Sequence, residues 1–300
     1  MAAVFAAVLL SLPVFGQGCS DAGACTIPGF LPGKEDKNSP FQLDFRASLE
    51  GSEPGALIIS PQLWLHFKPS DKFRADVKLP LWFVNDPNLG DVAAFSDPIV
   101  SFTWNVFKKE EIKSIDVIAG MRIGVNNANI MGEFGDLPMD YQSSLGTTDI
   151  IVGGKYSYKG LSASLALQVP VWQYNMNQDV VQRYVTWYED FESFLLEYER
   201  KGDLVIRVDH KWKLNNWFLQ VGLLPIYHLA NDKIVSRQNT GEVVIEGSQG
   251  LTVNIPFSAF YRLNQWTFGI QGGFPILVRD ERPDGLTRRY VVQPTITLNL

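Results

Sequence analysis

The sequence predicts an all-β protein: a transmembrane, antiparallel, up-and-down β-barrel of about twelve strands, with one helix in an extracellular loop. Three observations predict it. Segments of roughly ten residues or more alternate between apolar and polar side chains, the connections between them alternate short and long, and an export-type leader opens the chain. In "FRADVKLPLWF", Phe73, Ala75, Val77, Leu79, Leu81 and Phe83 oppose Arg74, Asp76, Lys78, Pro80 and Trp82. Side chains of a strand point alternately to opposite faces, so this ribbon has one apolar and one charged face.

The first dozen residues, "MAAVFAAVLLSL", are too short an apolar run to span a bilayer, and Gly16 and Gly18 follow. They read as a secretory signal over 1–16, leaving Gln17 as the mature N-terminus. Residues 17–39 are expected in the periplasm. Cys19 and Cys25, the two cysteines of the chain, would form one small disulfide loop there, with lipidation of Cys19 as the alternative. Two cysteines with no histidine near them do not make a zinc site, and neither a metal nor a cofactor is expected.

The barrel is expected over 40–300. Strands are predicted near 40–50, 56–67, 72–84, 97–107, 113–125, 147–158, 160–172, 202–214, 216–229, 250–262, 265–278 and 289–300. Short turns separate some of them, as at "KPSD", "YKG" and "LNN", while long connections fall at 85–96, 126–146, 173–201, 230–249 and 279–288. Short periplasmic turns and long extracellular loops are the outer-membrane pattern, with both termini on the periplasmic side. The faces agree from strand to strand. Phe41, Leu43, Phe45, Ala47 and Leu49 oppose Gln42, Asp44, Arg46, Ser48 and Glu50; at the other end Val292, Pro294, Ile296 and Leu298 oppose Gln293, Thr295, Thr297 and Asn299.

A soluble β-sandwich also alternates, with its apolar face inward. The leader, the loop alternation and aromatic residues at strand ends, among them Trp82, Phe83, Trp104, Phe107, Tyr158, Trp172 and Trp212, favour the membrane barrel of a bacterial outer membrane. The apolar face then meets lipid and the charged face the lumen. Composition agrees: 46% of residues are hydrophobic, the formal charge is −6, and no basic tract suggests a nucleic-acid partner.

Two strand openings, "LGDVAAFSDPIVSFTWNVF" and "LGTTDIIVGGKYSYKG", resemble those of the outer-membrane family associated with meta-pathway phenol degradation, itself similar in architecture to long-chain fatty-acid transporters. Proline recurs between bulky residues at "LPLW", "VPVW", "LPIY" and "FPIL", where it would end pairing near the mouth. The resemblance implies the barrel and a transport role; no catalytic residue carries over.

The most specific feature of the lumen face is a repeated triplet, Arg74, Asp76, Lys78 and Arg207, Asp209, Lys211, joined by Asp44, Arg46, Asp116, Arg122, Asp149 and Lys155. Interleaved signs predict an internal salt-bridge network; a pore lining selective for polar or anionic solutes is the other reading. Catalysis is not expected. The histidines available are His66, His210 and His228, no Gly-x-Ser-x-Gly elbow occurs, and His210 falls on the lipid-facing side with no serine that alternation places beside it. Asp86, Asp91 and Asp97 match no calcium loop.

In the loop 173–201, Val180, Tyr184, Trp187, Tyr188, Phe191, Leu195 and Tyr198 recur at three- and four-residue steps and predict an amphipathic helix. It would form a lid over the mouth, a plug within it, or a docking face for a surface protein. The expected function is passage of a small solute, a hydrophobic one among the candidates. A non-conducting barrel that anchors surface partners is the alternative.

Overall fold

The computed structural model describes residues 26–31, 40–52, 57–86, 90–109, 112–133, 135–185, 196–238, 241–286 and 288–300. In chain order the strands are β1 (Phe41–Ser52), β2 (Leu57–Ser70), β3 (Phe73–Asn85), β4 (Val92–Phe95), β5 (Ile99–Lys109), β6 (Lys113–Arg122), β7 (Met131–Gly132), β8 (Gly135–Asp136) and β9 (Thr147–Tyr158). They continue as β10 (Leu161–Gln173), β11 (Leu196–Glu199), β12 (Asp203–Leu214), β13 (Trp217–His228), β14 (Lys233–Ser236), β15 (Glu242–Val244), β16 (Gly250–Leu263), β17 (Trp266–Leu277) and β18 (Arg288–Asn299). One helix, α1 (Gln178–Tyr184), lies between β10 and β11.

Twelve of these strands pair antiparallel with their sequence neighbours in one ring. The ring closes because β1 pairs with β2 on one side and with β18 on the other, setting Leu43 opposite both Leu65 and Leu298. Closure leaves no edge strand, the condition a sheet must meet in hydrocarbon. β4 continues the line of β5: Leu81 of β3 pairs with Phe95 and Lys78 with Ile99, with Ser96, Asp97 and Pro98 as a break between them. Register also slips at Pro170/Trp172, and at Val253/Asn254 opposite Pro225 and Pro275, where proline cannot donate to the ladder.

The predicted faces are the observed ones. Phe45 is 51% exposed on the outside, while Asp44 and Ser48 on the same strand are wholly buried inside. No described helix is long and apolar enough to cross a membrane. An outward belt of Leu, Ile, Val and Phe is flanked by aromatics at each end: Trp104, Tyr158, Trp212 and Trp217 near the short turns, Phe95, Trp172 and Tyr227 near the long loops. Trp82 is an exception to its expected place at an interface. It points inward, 2% exposed. The short turns use left-handed backbone: Lys159 and Gly160 have φ of 45° and 87°, the signature of a two-residue hairpin turn that matches strand twist.

Candidate functional site: the barrel lumen and its closures

Alternation brings every member of the predicted charged set to the inner wall, where they sort into separate clusters. On β1 to β3, Asp44 accepts from Arg46 Nη2 at 2.6 Å and from Thr297 Oγ1 at 2.7 Å. His66 bridges to the next carboxylate, with Nδ1 2.5 Å from Asp76 and Nε2 3.4 Å from Asp44, and Arg74 Nε donates to Asp76 at 3.1 Å. Arg46 and Lys78 lie over the buried Trp64 ring, at 4.9 and 5.9 Å from its centroid. Across the lumen, Arg122 Nη2 donates to Asp149 at 2.8 Å, and Thr147 and Gln168 donate to the same carboxylate.

Lower down, Asn105 Nδ2 donates to Asp116 at 2.6 Å, and Lys155 Nζ stands 3.9 Å from that group. Arg207 Nε and Gln220 Nε2 donate to Asp209 at 2.6 and 2.8 Å. Each Arg-x-Asp triplet thus pairs within itself, because residues two apart on a strand share a face. Lys211 departs from the pattern and sits 4.9 Å from the Phe218 ring, half-buried near the short turns. Sequence reasoning missed His66, Trp64, Glu50 and Arg288 as members. The first three were readable from parity on β1 and β2; Arg288, whose Nε donates to Glu50 at 2.8 Å, carried no local signal.

The inner wall also carries an apolar stripe. Ile118, Gly153, Ala166, Val205 and Ile226 are aligned across five adjacent strands, with Ile99, Ile151 and Leu224 beside them. Six residues of the 17–39 segment are described, Thr26–Leu31, and they lie inside the barrel against this stripe. Ile27 and Phe30 are buried there at 0% and 2% exposure. The wall is hollowed to receive them: a β-carbon at Gly120 would come 2.9 Å from Ile27 Cδ1, and one at Gly153 2.9 Å from Phe30 Cε1. Lys155 Nζ donates to the Leu31 carbonyl at 3.0 Å and Ser164 Oγ to that of Phe30 at 3.4 Å. Cys19 and Cys25 lie outside the described residues.

The long loops close the other end around two small cores. One gathers Met139, Leu145, Val180, Val181, Tyr198 and Ile234; the other packs Tyr141 and Leu137 onto Ile58, Trp82 and Val84 of the barrel wall. Trp82 Nε1 donates to the Tyr141 carbonyl at 3.2 Å, and the Tyr141 hydroxyl donates to Asp86 at 2.8 Å. Burial and that carboxylate push the Tyr141 phenol well up.

A buried ionic cluster ties the loops to the rims of β12 and β13. Arg200 pairs with Asp203 and, at 3.4 Å, with Asp284; Arg279 pairs with Asp284 at 2.5 Å. His228 lies between Asp203, at 2.7 Å, and Asp232, at 2.8 Å, and the Tyr198 hydroxyl donates to Asp232 at 2.9 Å. Burial raises the Tyr198 phenol strongly, and Asp232 adds to the effect. Burial also acts to raise the Asp284 carboxyl, but Arg279 and Arg200 outweigh it and hold the group at about 2.

Of the predicted lid helix, the described part is α1, Gln178–Tyr184. α1 ends at Tyr184, with Val185 N bonded to the Val181 carbonyl as its last turn. Asn177 caps its start by accepting from Val180 N at 3.0 Å, and donates to the carbonyls of Ala128 and Leu137. Tyr184 is half-buried and its hydroxyl donates to Glu281 at 2.7 Å. Trp187, Tyr188, Phe191 and Leu195 lie outside the described residues. Tyr198 belongs to β11 and not to a helix, because β11 pairs with β14 and that pairing, with β15 beyond it, buries the ring over the mouth.

Several buried polar atoms of the inner wall have no hydrogen-bond partner among the described residues: Gln62 Nε2, His66 Nε2, Asn254 Nδ2 and Oδ1, Thr267 Oγ1 and Asn299 Oδ1. With Ser101 Oγ on β5 and Ser162 Oγ on β10 also unpartnered, such atoms are spread around the barrel rather than confined to one side.

No protein-family model matches the chain, and no curated protein matches it. Among solved structures it is similar to an outer membrane channel from Pseudomonas putida F1, with a TM-score of 0.62 and 11% identity over 89% of this chain and 98% of that one. The translocator domain of autotransporter NalP from Neisseria meningitidis covers 89% of this chain and 90% of its own at a TM-score of 0.43 and 8% identity. Outer membrane phospholipase A from Escherichia coli aligns at 0.42 and 9% identity over 87% and 98%. The last two superpose too loosely to carry weight, and the first, at its identity, speaks for the fold. With an apolar belt outside, a charged wall inside and no open edge, the chain is a twelve-stranded β-barrel of the bacterial outer membrane.

Proposed function

We propose that this barrel is a channel for a small solute, held shut at its long-loop end in the conformation described. The observation that carries the proposal is the set of buried, unpartnered polar atoms on the inner wall, spread over β2, β5, β10 and β16 to β18. Such groups are satisfied by water, so the lumen is read as hydrated. The apolar stripe beneath Ile27 and Phe30 offers a second surface, one suited to a hydrophobic solute once those side chains leave it. The strand openings that resemble the phenol-degradation family support transport as well. Discrete current steps from purified protein in planar bilayers are the expected result, and a persistently silent membrane would overturn the reading.

The second reading is a non-conducting scaffold. It is favoured by the ordered core of the loop cap, which would present β11, β14 and β15 to a surface partner. Co-purification of a partner that depends on loop 173–201, together with silence in bilayers, would decide for it. Neither reading is enzymatic. His66 and His228 both direct their ring nitrogens at aspartates, which supports a structural role for them.

A further inference from the structure

Beneath the loop cap, where β3, the break between β4 and β5, and the end of β6 meet, lies a small cleft of about 20 Å³. Three cations line it: Lys78, Arg122 and Arg288. Asp97 is the one carboxylate on its lining among the described residues. The other carboxylates paired with Arg122 and Arg288, Asp149 on the first and Glu50 and Asp140 on the second, are not on the cleft's lining. Asp97 directs its oxygens at the loop, accepting from Val125 N at 3.1 Å and Leu145 N at 3.3 Å.

Two donors remain for an occupant. Arg122 is 2% exposed, yet its Nε has no hydrogen-bond partner among the described residues and stands 3.9 Å from Asp97. The Ser143 hydroxyl accepts from Asn126 Nδ2 at 2.9 Å and so keeps its own proton to give. Trp82, Ile99, Met139 and Leu145 complete the wall with apolar surface, which excludes water and strengthens any charge contact made inside.

We infer that this cleft is an anion-binding site, taking a compact monovalent anion that is either inorganic or the carboxylate of a small organic acid. The site deepens the channel reading by naming the charge class of the solute, and it rests on that reading only for the claim that the bound anion is in transit. Arg46, Arg74 and Arg207 each pair with acid along the inner wall; here three cations line one cleft whose lining holds a single carboxylate among the described residues.

Binding is read directly, without conduction, from the broadening of the chloride NMR line by detergent-solubilised full-length protein. Wild type is expected to broaden the line saturably. Lys78→Gln should weaken binding about tenfold, through the loss of one lining charge, and Ser143→Ala several-fold, through the loss of a neutral hydrogen bond. Lys233→Gln, which removes an exposed cation paired with Glu242 far from the cleft, should match wild type. Heat-modifiable gel mobility verifies that each variant folds, and Ser143→Ala keeps the test standing if Lys78→Gln does not. Reversal of the broadening by acetate as well as nitrate assigns the site to carboxylates too, while reversal by nitrate alone assigns it to inorganic anions. No saturable broadening, or equal broadening by wild type, Lys78→Gln and Ser143→Ala, overturns the site. Silent bilayers with cleft-dependent broadening would remove the channel and keep the site; conducting bilayers without it would do the reverse.

Discussion

The ring of Phe30 rests over Gly153, at a point where a β-carbon on the glycine would come within 2.9 Å of Phe30 Cε1. The contact joins residues far apart in the chain and fixes the N-terminal segment inside the barrel. Phe30→Ala removes the larger of two buried anchors, a change of about 3 kcal/mol and thus roughly a hundredfold in the docked fraction. Single-channel conductance should rise, and a protease added from the short-turn side should cut the segment faster. Equal conductance and equal cleavage in wild type and variant would show that the segment restricts nothing.

Asp76 holds two partners at once, His66 at 2.5 Å and Arg74 at 3.1 Å, and is wholly buried. Asp76→Ala removes both contacts from the inner wall and is expected to cost on the order of 3–5 kcal/mol if that side of the lumen is dry. Asp179→Ala breaks a 2.8 Å pair with Arg183 on the outer face of α1 and should cost only about 0.3–0.5 kcal/mol. The temperature of the gel-mobility shift compares them. A variant pair with similar losses would mean that water screens the inner wall as well as it screens the helix.

Leu165 is 53% exposed on the outside of β10, next to the inward Ser164. Leu165→Arg is expected to cost about 2–4 kcal/mol through charge burial in lipid. Refolding into lipid vesicles against a urea gradient measures this. A loss well below 1 kcal/mol would place Leu165 outside the hydrocarbon belt.

The cap responds to acid at Asp284, whose folded pKa of about 2 lies below the ordinary carboxylate value near 4. A depressed carboxyl stabilises the fold above its unfolded pKa, and that contribution fades as pH falls from about 4 through about 2. Hydrogen exchange of loops 200–203 and 279–286 should therefore stay slow from pH 7 to about 5 and quicken only below about 4. Loosening already between pH 7 and 5 would assign the opening to another group.

Much of the barrel was readable because its information is local. Each strand carries its own parity, and the lipid that takes one face and the lumen that takes the other demand opposite chemistry, so Phe45 and Asp44 declare their sides without any neighbour. The inward charges were found the same way. Tyr198 was read as helical for a related reason: it falls on a three- and four-residue spacing, but β11 gains ladder bonds from β14 that local periodicity does not register.

By itself the sequence determined which residues face lipid and which face the lumen, since a two-residue period is a property of the strand alone. Only the tertiary structure decided which inward charges are partners, that Ile27 and Phe30 fill the notches at Gly120 and Gly153, and that Arg288, at the start of the last strand, reaches back to Glu50 on the first. Those contacts depend on ring closure, which sets strands side by side across any sequence distance and turns a row of separate faces into one enclosed wall.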